Sequence, residues 1–433
     1  MLNFRKLVKK FIPTSLFKQI EPTGHLLEAV LANIFYGFPS RNMHIIGVTG
    51  TNGKTTTVFL IHKMLTKADY KVGMLSTVAY GVGDNIKPQI EHMTTVDSFT
   101  LQKRLRDFKR AGVRWVVLET SSHALAQNRV WGIPYEIAVM TNITKDHLDY
   151  HGNFKNYLKA KQKLFILTSN NPRGFGIINA DDINASKFIE LIPNSMTYGI
   201  KSGNLVAQNI KLESDYVNFK VLVKEDLYNI RINIPGDFNV SNGLAAVAVG
   251  LQLGLTQKQI EDGIASLDSV EGRMNIINEG QKFKVLIDFA STPDAFERFF
   301  NTIRPTVKGK LIAVFGSAGR RDESKRAIQG QIAGKYADEV VLTEEDDRDV
   351  NGKEILDQIA EGSKNAGKIL DKNLFLIPKR EDAIEFALKR AKYRDDMVVF
   401  LGKGHEKTIE RADGVHPWNE TETVRKALQK ILK

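Results

Sequence analysis

The sequence VTGTNGKTTT, which starts at Val48, combines glycine, lysine and threonine in an order that suits phosphate binding. Glycines let the backbone turn so that its amides face phosphate oxygens, and a helix that starts at the lysine adds the positive end of its dipole. Lys54 would then reach the β- and γ-phosphates, and the hydroxyl of Thr55 would bind magnesium. The usual GxxxxGK[ST] spacing would put the first glycine at position 48, whereas this chain has Gly47 and Gly50, so we interpret the segment as a variant phosphate loop.

Two further segments place polar side chains directly after apolar runs. ETSSHALAQNR starts at Glu119, and TNITKDHLDYHG contains Asn142, Asp146, His147 and Asp149. Because α/β sheets gather ligands at the carboxyl ends of their strands, we expect these side chains near the phosphate loop. A carboxylate and an imidazole there could hold a second magnesium ion against the γ-phosphate, although imidazole is a less usual ligand for so hard a cation. Taken alone, His147 is more often a hydrogen-bonded structural histidine.

The elements that must position these residues follow from the alternation of short, β-branched apolar runs with segments of helical period. This alternation predicts an α/β fold, in which a parallel sheet is joined by crossover helices. The first set of predicted strands covers residues 44–49, 71–77, 114–120 and 136–142. The pattern starts again after residue 272 and predicts a second α/β unit with strands at 283–290, 310–317, 338–344 and 395–402.

Domain boundaries follow from the same pattern. Residues 200–235 alternate like strands, and DFNVSNGLAAVAVGLQLGL, from Asp237, predicts a buried helix. The turn-like SLDSVEGRMN around Gly272 is the candidate hinge. We therefore predict a short N-terminal helical segment at 1–43, a central nucleotide-binding domain at 44–272 and a C-terminal domain at 273–433.

The composition indicates a cellular compartment and argues against some classes of binding partner. The chain has 433 residues, no cysteine and a net charge of +11, and its N-terminal sequence lacks the order of a secretory signal, so we expect a cytoplasmic protein. We also expect a monomer. The basic residues are spread along the chain without interleaved aromatics, which argues against nucleic acid. The first 43 residues mix cations with apolar side chains, and TGHLLEAVLANIFYGFP predicts a short helix. Two alternatives stay open for this segment: a helix packed on the core, or an arm that contacts a membrane surface or a partner.

Ten segments occur in the order and spacing found in one enzyme family, and through them the chain resembles the Mur ligases. They are GVTGTNGKTTT, HMTTVDSFTLQ, ETSSHALAQNR, TNITKDHLDYHG, YLKAKQKLF, FNVSNGLAA, EGRMN, DFASTPDAFE, FGSAGRRDESKR and GKGHE. The resemblance covers the chain from Ile45 to the C-terminus. It is greatest to the family member that adds the third peptide residue to UDP-N-acetylmuramoyl-L-alanyl-D-glutamate.

The resemblance implies a central P-loop-type ATPase domain, a C-terminal Rossmann-like domain and an ATP-dependent amide-bond ligase of peptidoglycan synthesis. The γ-phosphoryl group passes to the substrate carboxylate, and the amine of a diamino acid attacks the acyl phosphate. Two magnesium ions and Lys54 would hold both anions in line. Three alternatives remain: a different carboxylate substrate, an enzyme like folylpolyglutamate synthase, and an inactive nucleotide-binding subunit.

Matched motif positions imply the site residues. The catalytic residues would be Lys54, His147 and Lys161, where Lys161 takes the place of a carbamylated lysine in the family. ATP would be bound by Gly50, Thr51, Asn52, Gly53, Lys54, Thr55, Thr56, Asn242, Arg273 and Asp288, and magnesium by Thr55, Glu119 and His147. The UDP-muramoyl dipeptide would be bound by Thr94, Thr95, Ser121, Gln127 and Arg129, and the amino acid by Arg321, Arg348, Gly402 and Glu406.

Three departures from the family pattern affect these expectations. Phe289 and Ser291 replace the tyrosine and histidine of the family's DYAH sequence. The DNPR sequence of diaminopimelate-adding members is EDDR at 345–348, where Arg348 favours diaminopimelate and the added carboxylates favour lysine, so the third residue stays open. Family members also carry an N-terminal UDP-binding domain of about a hundred residues, which we expect to be reduced here to short helices.

Overall fold

The computed structural model describes residues 14–91, 93–213 and 215–432, which divide into two compact units. The first contains the described residues up to 208 together with 220–230 and 241–266. The second contains 267–432 together with the described residues of 209–219 and 231–240. Both units combine parallel strands with helices, so the predicted α/β fold is confirmed.

The strands from the N-terminus to residue 232 follow one another with helices or turns between them. Their bounds are β1 His44–Thr49, β2 Val72–Leu75, β3 Ala79–Val82, β4 Asn85–Pro88, β5 Trp115–Glu119, β6 Tyr135–Met140, β7 Phe175–Asn179, β8 Ser195–Gly199, β9 Leu205–Leu212, β10 Val217–Val223 and β11 Asp226–Ile232. The helices up to residue 265 are α1 Thr14–Tyr36, α2 Lys54–Lys67, α3 Ser98–Arg110, α4 Ser122–Ala126, α5 Leu148–His151, α6 Phe154–Ser169, α7 Ser186–Ile189, α8 Phe238–Gln252 and α9 Gln257–Ala265.

The part of the sheet that positions the candidate site has the strand order β8-β7-β6-β1-β5-β2-β3-β4, and β9, β10 and β11 continue the same sheet beyond β8. The strands from β8 to β2 are parallel, whereas β3 and β4 form antiparallel pairs at one edge. β1 lies between β5 and β6, and its apolar sequence HIIGVT is buried because helices cover both faces of a parallel sheet. The ends of β1, β5 and β6 therefore meet at one edge, where the sequence predicts the ligand site.

The N-terminal helix α1 begins at Thr14, whereas the sequence predicted a separate short helix from Thr23. The helix therefore begins nine residues earlier than predicted, and residues 1–13 lie outside the described residues. His25, Ala29 and Asn33 form its buried face. No helix in the described parts of the chain is both long and apolar enough to cross a membrane.

The second unit has a six-stranded sheet among its described residues, with the order β12-β13-β17-β14-β15-β16. All of its pairs are parallel except β12 with β13. The elements are β12 Asn275–Ile277, β13 Lys284–Asp288, α10 Pro293–Ile303, β14 Leu311–Phe315, α11 Ser324–Tyr336, β15 Glu339–Leu342, α12 Gly352–Asn365, β16 Leu374–Leu376, α13 Arg380–Arg390, β17 Met397–Leu401, the hairpin β18 Thr408–Arg411 and β19 Gly414–Pro417, and α14 Glu420–Leu432.

A fully buried ion pair fixes the ends of β15 and β17 in this unit. The Arg380 guanidinium donates to the carboxylate of Glu420 at 2.6–3.1 Å and to the carbonyls of Glu344 and Leu401 at 3.1 and 3.0 Å. The indole of Trp418 also donates to Glu420, at 2.8 Å. Glu344 lies two residues after the end of β15, and Leu401 is the last residue of β17. The Arg380–Glu420 ion pair therefore positions the loops at that edge of the sheet.

Glu420→Ala should destabilise the protein by about 3–5 kcal/mol, because it leaves the buried Arg380 charge without its counterion. Urea unfolding of the full chain measures the loss. Glu422→Ala, on the same helix but exposed and paired with Lys426, is the matched control and should change the free energy of unfolding by less than about 1 kcal/mol. Equal losses in the two variants would contradict a structural role for the buried pair.

Candidate active site

The phosphate loop joins β1 directly to α2 in the first unit. Gly50 has a φ of 149° and Gly53, which caps α2, has a φ of 82°. A Cβ on Gly50 would overlap the Thr141 hydroxyl, and one on Gly53 would overlap the Asn242 side-chain amide. Glycine is therefore required at both positions, which lets the loop backbone approach its neighbours closely.

The end of β6 holds the loop in this shape. The Thr51 amide donates to the Asn142 carbonyl at 2.7 Å, and the Asn52 amide donates to the Asn142 side chain at 2.9 Å. The Asn142 amide group returns a hydrogen bond to the Asn52 carbonyl at 3.0 Å. The Thr51 hydroxyl also lies 2.8 Å from the hydroxyl of Tyr157. Asn142, a candidate ligand in the sequence, thus serves as a clamp on the loop.

Two lysines bind carbonyls of consecutive loop residues. Lys54 Nζ donates to the Thr51 carbonyl at 2.8 Å, and Lys161 Nζ, on α6, donates to the Gly50 carbonyl at 2.5 Å. Lys161 is buried, and the pKa of its amine is well below its ordinary value, chiefly because of burial and then because of the Lys54 charge. The predicted catalytic lysines are therefore together, and the neutral form of Lys161 is favoured.

Glu119 lies buried at the end of β5, beside the start of α2. Its carboxylate accepts hydrogen bonds from the Thr55 hydroxyl at 3.1 Å and from the Thr77 amide at 2.9 Å. A threonine hydroxyl and a carboxylate at the start of the phosphate-loop helix are oxygen donors of the kind that magnesium prefers. The structure therefore brings together two of the three predicted magnesium ligands.

His147, the third predicted magnesium ligand, lies half-exposed in the loop that follows β6. Its Nε2 is 3.4 Å from an Asp146 oxygen, and its ring centre is 4.7 Å from that of His123. Burial, followed by the neighbouring His147 and His151, lowers the pKa of His123 to about 3. Among the residues that the structure describes, no three His, Asp or Glu side chains form a metal-binding group.

Three of the five predicted muramoyl-peptide ligands meet beside Glu119. The Thr95 hydroxyl donates to the Glu119 carbonyl at 2.9 Å and accepts from the Ser121 amide at 3.0 Å. Arg129 donates to the Thr95 carbonyl. Ser121 also caps α4, and Gln127 follows the last residue of that helix. Thr94 is half-buried next to Thr95.

The predicted nucleotide residues outside the loop fall in both units. Asn242, in the first unit, accepts a hydrogen bond from the Thr57 hydroxyl at 3.3 Å. In the second unit, Asp288 accepts from the amides of Met274 and Ala290, both at 2.8 Å. Burial raises the pKa of Asp288, and the Arg273 charge opposes that rise. The Arg273 guanidinium lies 5.0 Å from the ring centre of Phe289, the residue that departs from the family pattern.

Three of the four predicted amino-acid ligands, Arg348, Gly402 and Glu406, lie in the loops that follow β15 and β17. Lys403 is fully buried and pairs with Asp346 at 2.8 Å and with Glu406 at 2.6 Å. Arg348 has a φ of 57° and pairs with Glu410 at 2.8 Å. Gly402, with a φ of 98°, adjoins Lys403. Arg321 is exposed on the loop between β14 and α11.

Sequence reasoning missed several residues that hold the site together. Lys403 was quoted within GKGHE but was not given a role, although a lysine that directly follows a buried strand and a glycine is the available signal. Tyr157 and Thr144 both contact the Thr51 hydroxyl. They lie 106 and 93 residues from Thr51 in the sequence, and no local pattern reveals contacts at such distances. These positions depend on which strands become neighbours.

Comparisons with protein families match both units. Residues 48–250 match the family model described as the Mur ligase middle domain, and residues 272–404 match the one described as the Mur ligase glutamate ligase domain. The chain is 37% identical over 424 residues to the UDP-N-acetylmuramyl-tripeptide synthetase of Roseiflexus sp., covering 95% of this chain and 83% of that protein. It is 39% identical over 409 residues to the same-named protein of Borreliella afzelii, covering 93% and 80%.

Other relatives are named for a specific third residue. UDP-N-acetylmuramoyl-L-alanyl-D-glutamate–2,6-diaminopimelate ligase 1 of Clostridium acetobutylicum is 37% identical over 429 residues, covering 98% of this chain and 86% of that protein. A solved structure of a ligase with this activity in its name has a TM-score of 0.65 at 29% identity, covering 96% and 83%. Folylpolyglutamate synthase of Mycobacterium tuberculosis has a TM-score of 0.70 at 16% identity, covering 94% and 95%, which shows a shared fold alone.

Proposed function

The chain belongs to the Mur ligase family of ATP-dependent ligases, and we propose that it adds the third amino acid to UDP-N-acetylmuramoyl-L-alanyl-D-glutamate in peptidoglycan synthesis. The main supporting observation is that Lys54 and Lys161 donate hydrogen bonds to the carbonyls of Thr51 and Gly50, respectively. The buried residues Glu119 and Thr55 lie at the same loop. This arrangement supports phosphoryl transfer to a carboxylate, because the Lys54 cation and candidate magnesium ligands lie at one loop.

The phosphate loop and Lys54 bind the phosphates of ATP in this proposal, and Asn242, Arg273 and Asp288 contact the rest of the nucleotide. Thr55, Glu119 and His147 would hold magnesium, which would neutralise charge between phosphate and carboxylate. The substrate carboxylate attacks the γ-phosphorus, and ADP leaves. The amine of the incoming amino acid then attacks the acyl carbon, so that a C–N bond forms and phosphate departs.

The remaining assignments follow from the same proposal. We assign the muramoyl dipeptide to Thr94, Thr95, Ser121, Gln127 and Arg129, and the diamino acid to Arg321, Arg348, Gly402 and Glu406. Residues 44–272 then form the nucleotide-binding domain and residues 273–433 the amino-acid-binding domain. In this proposal the enzyme is a cytoplasmic monomer, and it accepts the UDP-linked substrate.

Lys54→Ala should lower kcat/KM for phosphate release by about 100-fold or more, because it removes a cation from the developing phosphoryl charge. The assay contains ATP, magnesium, UDP-N-acetylmuramoyl-L-alanyl-D-glutamate and either lysine, ornithine or meso-diaminopimelate. Lys63→Ala, on the same helix but paired with Asp84 at the surface, is the control and should retain activity. Near-normal turnover of the Lys54 variant, or no turnover of the wild type with any amino acid, would contradict the proposed function.

Lys161 is carbamylated in this proposal. Burial lowers the pKa of the Lys161 amine, which raises the fraction that is neutral, and a neutral amine can add to carbon dioxide. The nitrogen forms a bond to the carbon of CO2 and releases a proton, which leaves an anionic carbamate. The carbamate would place negative charge beside the loop, where it could assist magnesium binding. It would also replace the repulsion between Lys161 and Lys54 with attraction.

Labelled carbon dioxide should give a carbamate carbon signal in the NMR spectrum of the wild-type protein that is absent from Lys161→Ala. This readout does not depend on catalysis. Lys159→Ala, an exposed position on the same helix, should retain the signal. Activity lost in the Lys161 variant should return in part when formate or acetate is added. A signal that persists in that variant would place the carbamate elsewhere, and a wild type without any signal would refute it.

Helix α1 supports a peripheral contact with an anionic membrane surface. Leu27, Leu31, Ile34 and Phe35 are 50–71% exposed and form one stripe, opposite the buried face of the helix. The preceding sequence, MLNFRKLVKKFIP, has four cations and no acidic residue and lies outside the described residues. Cations beside an exposed apolar helix face suit anionic lipid headgroups.

Replacing Leu31 and Phe35 with serine should weaken binding to phosphatidylglycerol vesicles by about tenfold or more, since two apolar side chains no longer insert. Co-sedimentation measures the binding, and phosphatidylcholine vesicles should bind less. Ile183→Ser, at an exposed apolar position away from α1, is the control. Unchanged vesicle binding would refute the lipid contact. Light scattering that shows a dimer dissociated by the double variant would assign the stripe to a second copy instead.

A further inference from the structure

The turn that follows α4 carries two of the residues assigned above to the muramoyl dipeptide. Gln127 is the C-cap of α4, and Arg129 follows two residues later. Between them, Asn128 has a φ of 55°. That value lies in the left-handed region, which asparagine adopts more readily than most residues but still at a cost compared with glycine. The conformation of Asn128 therefore gains from any contact that stabilises it.

Backbone hydrogen bonds show that α4 ends in a Schellman motif around Asn128. The Arg129 amide donates to the Ala124 carbonyl at 2.9 Å, and the Asn128 amide donates to the Leu125 carbonyl at 3.4 Å. In this motif the left-handed residue turns the chain away from the helix, so it sets the position of the residue that follows. The conformation of Asn128 thus decides where Arg129 begins.

Arg129 in turn holds the loop that contains Thr94 and Thr95. Arg129 is 6% exposed, and its guanidinium donates to the carbonyl of Thr95. Its own carbonyl accepts a hydrogen bond from the Ser98 hydroxyl at 3.2 Å, which fixes the Arg129 backbone against the start of α3. A different backbone conformation at Asn128 would therefore displace several of the residues assigned to the dipeptide.

Lys163, on α6, supports this turn from a neighbouring element. Its Nζ donates to the Leu125 carbonyl at 3.1 Å and also to the side-chain oxygen of Asn128. The Leu125 carbonyl is one of the last carbonyls of α4, where a cationic side chain can satisfy the helix end. Lys163 therefore binds both the end of the helix and the left-handed residue that follows it.

The environment of Lys163 differs from that of a solvated lysine. The side chain is half-buried, and burial lowers the pKa of its amine. Its two acceptors are an uncharged carbonyl and an uncharged amide oxygen rather than a carboxylate. Lys159, on the same helix, is exposed. Partial burial of an amine on uncharged oxygens is costly, and stabilisation of the turn offsets that cost.

We propose that Lys163 is a positioning residue that holds Asn128 in its left-handed conformation. Through that turn it places Gln127 and Arg129 for the UDP-muramoyl dipeptide. This inference rests on the proposed ligase function. Lys163 does not touch the substrate, so its effect falls on binding of the dipeptide and not on binding of ATP or of the amino acid.

Lys163→Met tests this role, because methionine is also unbranched but lacks the amine. The full-length protein is assayed for phosphate release with ATP, magnesium, the UDP-muramoyl dipeptide and the amino acid that gives most turnover. KM for the dipeptide should rise about tenfold or more, since charge-assisted hydrogen bonds are lost. The values of kcat and of KM for ATP and the amino acid should change by less than about twofold. Lys159→Met is the matched control and should behave like the wild type.

Two further variants separate positioning from contact with the substrate. Lys163→Arg should keep KM for the dipeptide close to the wild-type value, because a guanidinium can donate to both acceptors. Glycine adopts the left-handed region without a steric cost, so Asn128→Gly keeps the turn without help from a side chain. Adding Asn128→Gly to Lys163→Met should therefore restore most of the lost dipeptide affinity.

An unchanged KM for the dipeptide in Lys163→Met would overturn the inference. An increase that Asn128→Gly does not reverse would also overturn it, because Lys163 would then act on the substrate directly. Thermal unfolding reports whether each variant folds. If Lys163→Met does not fold, Asn128→Ala tests the same turn with the lysine intact, and an unchanged dipeptide KM there would contradict the role of the turn. Absence of turnover in the wild type would overturn the ligase function and the inference with it.

Discussion

The phosphate loop is constrained by two lysine side chains that donate to its carbonyls. Lys54 binds the carbonyl of Thr51 and Lys161 that of Gly50, so two amines converge on adjacent peptide units. Burial and then the neighbouring Lys54 charge lower the pKa of the Lys161 amine. The loop can hold this arrangement only because Asn142 fixes its backbone from the neighbouring strand. The position of β6 beside β1 is therefore as important to the site as the loop sequence itself.

The local part of this arrangement could be predicted from sequence. HIIGVT is apolar and β-branched, and the glycines and Lys54 that follow specify a turn and a helix start; the structure has β1 ending at Thr49 and α2 starting at Lys54. The strand order could not be predicted in the same way. β1 lies between β5 and β6, and this places Glu119 and Asn142 on opposite sides of the loop strand. Asn142 was consequently grouped with candidate ligands, whereas its geometry is that of a clamp.

The second unit shows the same limit of sequence-based prediction. The sequence identified Arg348, Gly402 and Glu406 through a resemblance, but it gave no indication that Arg348 pairs with Glu410, 62 residues later. The partner of a charged side chain is decided by tertiary packing, since many carboxylates along a chain could neutralise one arginine. Lys403 illustrates this point, because its complete burial is possible only with Asp346 and Glu406 on either side. The sequence shows which residues are charged, but it does not show which of them pair.

The two units show how partners decide the charge of a buried lysine. In the first unit, Lys161 binds a backbone carbonyl, and burial lowers the pKa of its amine. In the second unit, burial would also lower the pKa of Lys403, but the paired carboxylates Glu406 and Asp346 raise it instead. The same side chain is therefore less basic in one unit and more basic in the other, because, among the described residues, only Lys403 of the two has carboxylates within ion-pair distance.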